Sequence, residues 1–67
     1  MAVAKVIEIS AASPQSFEDA IKKGIERASK TVDKIQGAWV KEQQVRVDNG
    51  KIAEYRVDLK VTFVLSE

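Results

Sequence analysis

Asn49-Gly50 is the feature that most constrains this chain. It lies between two runs rich in β-formers. Asn-Gly between alternating apolar residues specifies a two-residue type I′ hairpin turn, because both turn residues need positive φ. That turn pairs Asp48 with Lys51 and sets the register of the arms. Continued outward, the register sets Val47 against Ile52, Gln43 against Arg56, Lys41 against Asp58 and Trp39 against Lys60.

The second arm alternates almost without fault. Ala53, Tyr55, Val57, Leu59, Val61, Phe63 and Leu65 form one face, and Glu54, Arg56, Asp58, Lys60 and Thr62 form the other. Period-two alternation places one face on a core and the other in water. The first arm, from about Ala38 to Val47, alternates less well. There the register puts Arg46, Gln44 and Glu42 on the apolar side, unless a β-bulge in this arm swaps some of them.

Upstream, Val3 to Ile9 reads as a strand, with β-branched Val3, Val6, Ile7 and Ile9, and Ser10 to Ser13 reads as a short loop. A helix is predicted from Pro14 to Thr31. Ser13 serves as N-cap, Pro14 takes the first helical position, and Phe17 packs back on Ala12. Glu18 and Asp19 suit the helix N-terminus. Phe17, Ala20, Ile21, Gly24, Ile25 and Ala28 make one apolar stripe at 3/4 spacing, with Lys22, Lys23, Glu26, Arg27 and Lys30 facing solvent. Val32 and Ile35 continue the apolar face, and Gly37 permits a sharp redirection into the next strand.

A helix between the first two strands lets them run parallel with a gap between them, which the long last strand fills antiparallel to both. The expected fold is a single α+β domain over residues 1–67, with element order β-α-β-β and strand order 1-3-2. The last strand of about 14 residues spans roughly 48 Å. The helix of about 18 residues spans roughly 27 Å. The hairpin therefore overhangs its only cover, and Ala53 and Tyr55 near its tip need a second surface.

A chain of 67 residues is marginal as a lone domain. The usual remedies are disulfides, a metal, or further copies. There is no Cys and no His, which removes disulfides, thiolate metal sites, the usual zinc sites and the commonest general base. Another copy of the chain is the expected remedy. Val45, Val47 and Ile52 form an apolar patch on the outward face, and Glu54, Asp58 and Lys60 extend it as a charge ladder suited to a second copy.

The balance of 11 basic and 10 acidic residues, net +1, is not that of a nucleic-acid binder. No apolar run is long enough to span a membrane. The early Glu8 does not suit a signal peptide, so a cytoplasmic protein is expected. No catalytic constellation is visible: Ser10, Ser13, Ser16 and Ser29 have no motif around them, and Gly24, Gly37 and Gly50 are isolated. An enzyme is not expected. Trp39 is read either as an interface side chain stacking on Lys60 or as a platform for a flat ligand. Arg56 is either a member of the ladder or an anion-binding group. Glu42, Asp48, Glu54 and Asp58 are solvated partners of nearby cations or, gathered at a symmetry axis, ligands for a hard cation such as Ca²⁺.

Val6-Ile7-Glu8-Ile9, the Ser13-Pro14 helix start, Ala20-Ile21, Ala28 with Thr31-Val32, and above all Tyr55-Arg56-Val57-Asp58-Leu59-Lys60-Val61-Thr62-Phe63-Val64-Leu65 together resemble a dodecin. The resemblance covers essentially the whole chain. It implies β-α-β-β subunits closed into a hollow homododecamer of cubic symmetry, a non-enzymatic shell that stores or sequesters riboflavin or FMN. In flavin-binding dodecins a Trp at the start of the second strand stacks on the flavin and a Gln on the third strand hydrogen-bonds it. Aligned through the Asn49-Gly50 turn, these positions fall on Gly37 and Arg56. Gly37 offers no ring, and Arg56 offers donors only. Trp39 lies two residues on, on the same face but about 7 Å along. The pattern resembles dodecins that keep the shell without the flavin site. It leaves cations such as Ca²⁺, small anions or a purely structural oligomer as alternatives.

Overall fold

A computed structural model describes residues 3–66. The order is β1 (Val3–Ser13), α1 (Phe17–Ala28), β2 (Ile35–Asp48) and β3 (Lys51–Ser66). The strands form one antiparallel sheet in the order β1-β3-β2, as the crossover argument requires. Asn49 and Gly50 have φ of 52° and 77°, the two positive values of a type I′ turn.

Alternation in β3 builds the core. Val57, Leu59 and Val61 are buried under Ala20, with Ile7, Ile9, Phe17, Ile21 and Ile25 around them. Burying each large side chain contributes about 1.5–3 kcal/mol. Ala20, Gly24 and Ala28 form the buried row of the helix. A Cβ on Gly24 would sit 3.0 Å from that of Ala11, so the missing side chain is what lets the helix lie this close to β1.

Four local readings change. Residues Ser10 to Ser13 continue β1, with Ser13 opposite Tyr55. The N-cap is therefore Ser16, not Ser13. Its backbone is extended, and its hydroxyl accepts from the Asp19 amide at 2.9 Å. Pro14 lies in the connector and Phe17 is the first helical residue. Ser13 is used otherwise: its hydroxyl donates to Asp19 Oδ2 at 2.6 Å and accepts from the Gln15 amide at 3.0 Å. The helix stops at Ala28, short of Thr31, though Val32 N–H still reaches the Ala28 carbonyl at 2.9 Å. Redirection into β2 occurs at Lys34, whose φ is 60°, rather than at Gly37.

The overhang is larger than expected. The last strand has 16 residues and the helix 12, roughly 54 Å against 18 Å at ordinary rises. The subunit is accordingly long and thin, 52 × 19 × 14 Å. The helix packs on β1 and β3, and every residue of β2 after Ile35 is exposed. Among the described residues, no helix is long and apolar enough to cross a membrane.

Candidate functional site

The sheet face turned away from the helix carries most of the candidate residues, and the bulges in the hairpin decide which. From the turn, Asp48–Lys51 and Val47–Ile52 pair as expected. The register then shifts between Arg46 and Val47, returns between Val40 and Glu42, and shifts again between Ile35 and Gly37. Between the first two shifts Gln44 faces Arg56 and Glu42 faces Asp58, replacing the expected Gln43–Arg56 and Lys41–Asp58 pairs. Beyond the second shift Trp39 faces Lys60 and Gly37 faces Thr62, so Trp39 and Gly37 do share a face.

Directly paired residues point to the same side. Val45 pairs with Tyr55, and Val47, two residues on in an unbroken stretch of β2, pairs with Ile52, so Val45, Val47 and Ile52 all lie on the helix side of the sheet, beyond the helix, not on the outward face expected for them. The same shift moves Glu42, Gln44 and Arg46 outward, beside Asp58, Arg56 and Glu54. This removes polar side chains from the core side, where the unbulged register had put them.

Rows of three therefore cross the outward face. Ala12, Arg56 and Gln44 form one, Ser10, Asp58 and Glu42 the next, and Glu8, Lys60 and Trp39 a third. The bulged Lys41 reaches over the sheet to Glu8, with Nζ 3.4 Å from a carboxylate oxygen. Glu54 receives two guanidinium groups, Arg46 Nε at 3.7 Å and Arg56 Nε at 3.5 Å. Neither Lys41 nor Arg46 was singled out as a site residue, because both owe their positions to bulges. Trp39 is 52% exposed on this face. Around Gly37 nothing approaches within 4 Å of where a Cβ would stand.

In the middle row two carboxylates, Glu42 and Asp58, stand directly opposite one another with Ser10 alongside. Like charges in that position repel. Neither makes an ion pair among the described residues. No group of three or more Asp or Glu there is able to hold a metal alone. Any cation site on this face is therefore completed by water or by another copy.

A different carboxylate is tuned by the fold. The Ser13 hydroxyl holds the Asp19 carboxyl below its ordinary range; partial burial pulls the other way, and Lys23 at 3.6 Å adds to the lowering.

Comparison with known proteins agrees with this architecture. The calcium dodecin of Mycobacterium tuberculosis is 43% identical over 63 residues, covering 94% of this chain and 89% of that protein. Its crystal structure, described as having a novel calcium-binding site, superposes with a TM-score of 0.81 at 47% identity, covering 91% of this chain and 87% of that one. The dodecin of Streptomyces davaonensis superposes with a TM-score of 0.93 at 35% identity, covering 98% and 97% of the two chains. The Dodecin family model matches residues 3–66. By topology and by sequence, the chain belongs to the dodecin family.

Proposed function

We propose that copies of this chain close into a hollow homododecameric shell that takes up a divalent cation, calcium foremost, on the outward sheet face. The observation that carries the reading is the Glu42–Asp58 pair, directly opposed across the β2–β3 ladder. Two carboxylates held together without a basic partner repel each other, and a cation between them turns repulsion into attraction. Carboxylate and hydroxyl oxygens are the ligands a hard cation prefers, and Ca²⁺ takes about six to eight of them. Glu42, Asp58 and Ser10 supply part of that set, and water or a symmetry-related copy supplies the rest. The identity to a relative named for calcium supports the same reading.

Flavin is the less favoured ligand. Gly37 presents no ring at the stacking position. Arg56 has no acceptor to offer, and its guanidinium is engaged with Glu54. The shell is read as a binder and store, not a catalyst, since neither His nor Cys is present to do acid–base or nucleophilic work.

Calorimetry and thermal melting with CaCl₂ test the proposal. Calcium at a hundredfold excess over its Kd stabilises the folded assembly by about 2.7 kcal/mol, and Glu42→Gln with Asp58→Asn abolishes the effect. No heat and no shift in Tm would sink the cation reading. Strong quenching of riboflavin or FMN fluorescence at low micromolar protein would favour the flavin reading instead.

A further inference from the structure

Asn49 is the only Asn of the chain, and Gly50 follows it. The side-chain carbonyl carbon of an Asn lies at the right remove to close a succinimide ring on the next backbone nitrogen. A following side chain crowds that nitrogen, and glycine takes the obstacle away. Both residues are exposed, and nothing lies within 4 Å of where a Gly50 Cβ would stand, so water and hydroxide reach the bond. A β-turn ties its first residue to its fourth, which leaves the Gly50 N–H to solvent. The closed turn nevertheless works against the reaction. A type I′ turn sets ψ of its first central residue to about +30°, which turns the Gly50 nitrogen away from Asn49 Cβ. The ring closes only after that peptide rotates, and rotation breaks the turn. The tip is built to open. It extends beyond the helix, with Val47 60% and Ile52 53% exposed, and two pairs, Asp48–Lys51 and Val47–Ile52, hold it before the register shifts at Arg46. Local opening of such a segment costs less than global unfolding.

We propose that Asn49 is a self-modification site: when the hairpin tip opens, it cyclises onto the Gly50 amide and ends as aspartate or isoaspartate. The Gly50 nitrogen gives its proton to solvent base and bonds to Asn49 Cγ. The Cγ–Nδ2 bond breaks, and the side-chain amide takes up a proton and leaves as ammonia. Water then opens the succinimide. Cleavage between the Gly50 nitrogen and Cγ gives aspartate, and cleavage between that nitrogen and the main-chain carbonyl gives isoaspartate. Water enters, ammonia leaves, and no oxidant is needed. Both products add a carboxylate beside Asp48, ionised at neutral pH. Isoaspartate also lengthens the main chain by a methylene, which a two-residue type I′ turn does not accommodate. The tip then frays back to the shift at Arg46. A modified chain is marked twice, by charge and by lost pairing.

Incubation in mildly alkaline buffer, followed by ion exchange and tandem mass spectrometry, tests this. The folded protein is expected to release ammonia and to accumulate an acidic form modified at residue 49. In denaturing urea the rate should rise about tenfold or more, the ratio measuring how seldom the native tip is open. Asn49→Gly, whose Gly-Gly pair keeps the turn, should yield no acidic form. In the isoaspartate fraction, amide exchange at residues 47–52 should outpace that of the parent. Absence of the acidic form from native and unfolded protein alike would overturn the proposal. So would an acidic form that persists in Asn49→Gly, or a rate that urea leaves unchanged. An isoaspartate fraction with the parent's exchange along the tip would overturn the fraying.

Discussion

The Asp19 carboxylate ties the end of β1 to the first turn of α1, through the buried Ser13 hydroxyl on one side and Lys23 on the other. Its pKa is lowered in the folded state, so its contribution is fully present above the unfolded value of about 3.9 and is lost as pH falls through the lower folded value. Urea denaturation of wild type and Asp19→Asn at pH 7 and pH 3 checks this. The variant is expected to lose stability at pH 7 and to show a flatter fall toward pH 3. At the flavin-equivalent positions, the open space around Gly37 admits a ring. Gly37→Trp with Arg56→Gln should therefore create flavin quenching where the parent shows little. A double variant that folds, assembles and still leaves flavin fluorescence untouched would show that the two positions are insufficient. These two positions were singled out from sequence because a family pattern marks them. The Arg46–Glu54–Arg56 cluster was not, since it depends on a register shift that no residue type announces.

At the level of elements, the turn and β3 were readable because their chemistry is local: Asn-Gly tolerates positive φ, and an unbroken alternation has one consistent burial pattern. The first arm of the hairpin was not readable for the same physical reason in reverse. Lys41-Glu42-Gln43-Gln44 is polar throughout, so sliding it by one residue changes little apolar burial, and nothing in the sequence pins the bulge. The helix start was misplaced by one Ser because Ser13 and Ser16 both suit a cap. The decision came from β1, whose ladder extends to Ser13. Two glycine substitutions separate backbone strain from crowding. Gly50→Ala meets open space and pays only for its φ of 77°, a loss of about 1 kcal/mol in chemical denaturation. Gly24→Leu drives a side chain into Ala11 and Leu59 and should cost about 3 kcal/mol or more. Equal losses at the two sites would contradict the close helix–sheet approach.

For the whole molecule, what remained unreadable was the quaternary surface, because a single chain's alternation separates inside from outside but does not say which outside is covered. The long strand implied an overhang, and the fold shows that β2 is left bare along nearly its full length. Ile52→Glu at the tip should lower the assembled mass seen by sedimentation while leaving the far-UV spectrum of a folded chain at high concentration. An unchanged mass would remove the tip from the interface.

A helix that shields two strands out of three has a thermodynamic consequence. In the proposed assembly, part of the apolar area that balances chain entropy is supplied only when subunits meet, so the folded state becomes a function of concentration. Dilution alone acts as a denaturant for such a subunit. Its melting midpoint should climb with protein concentration, and newly made chains gain their full stability only once enough of them are present to find one another.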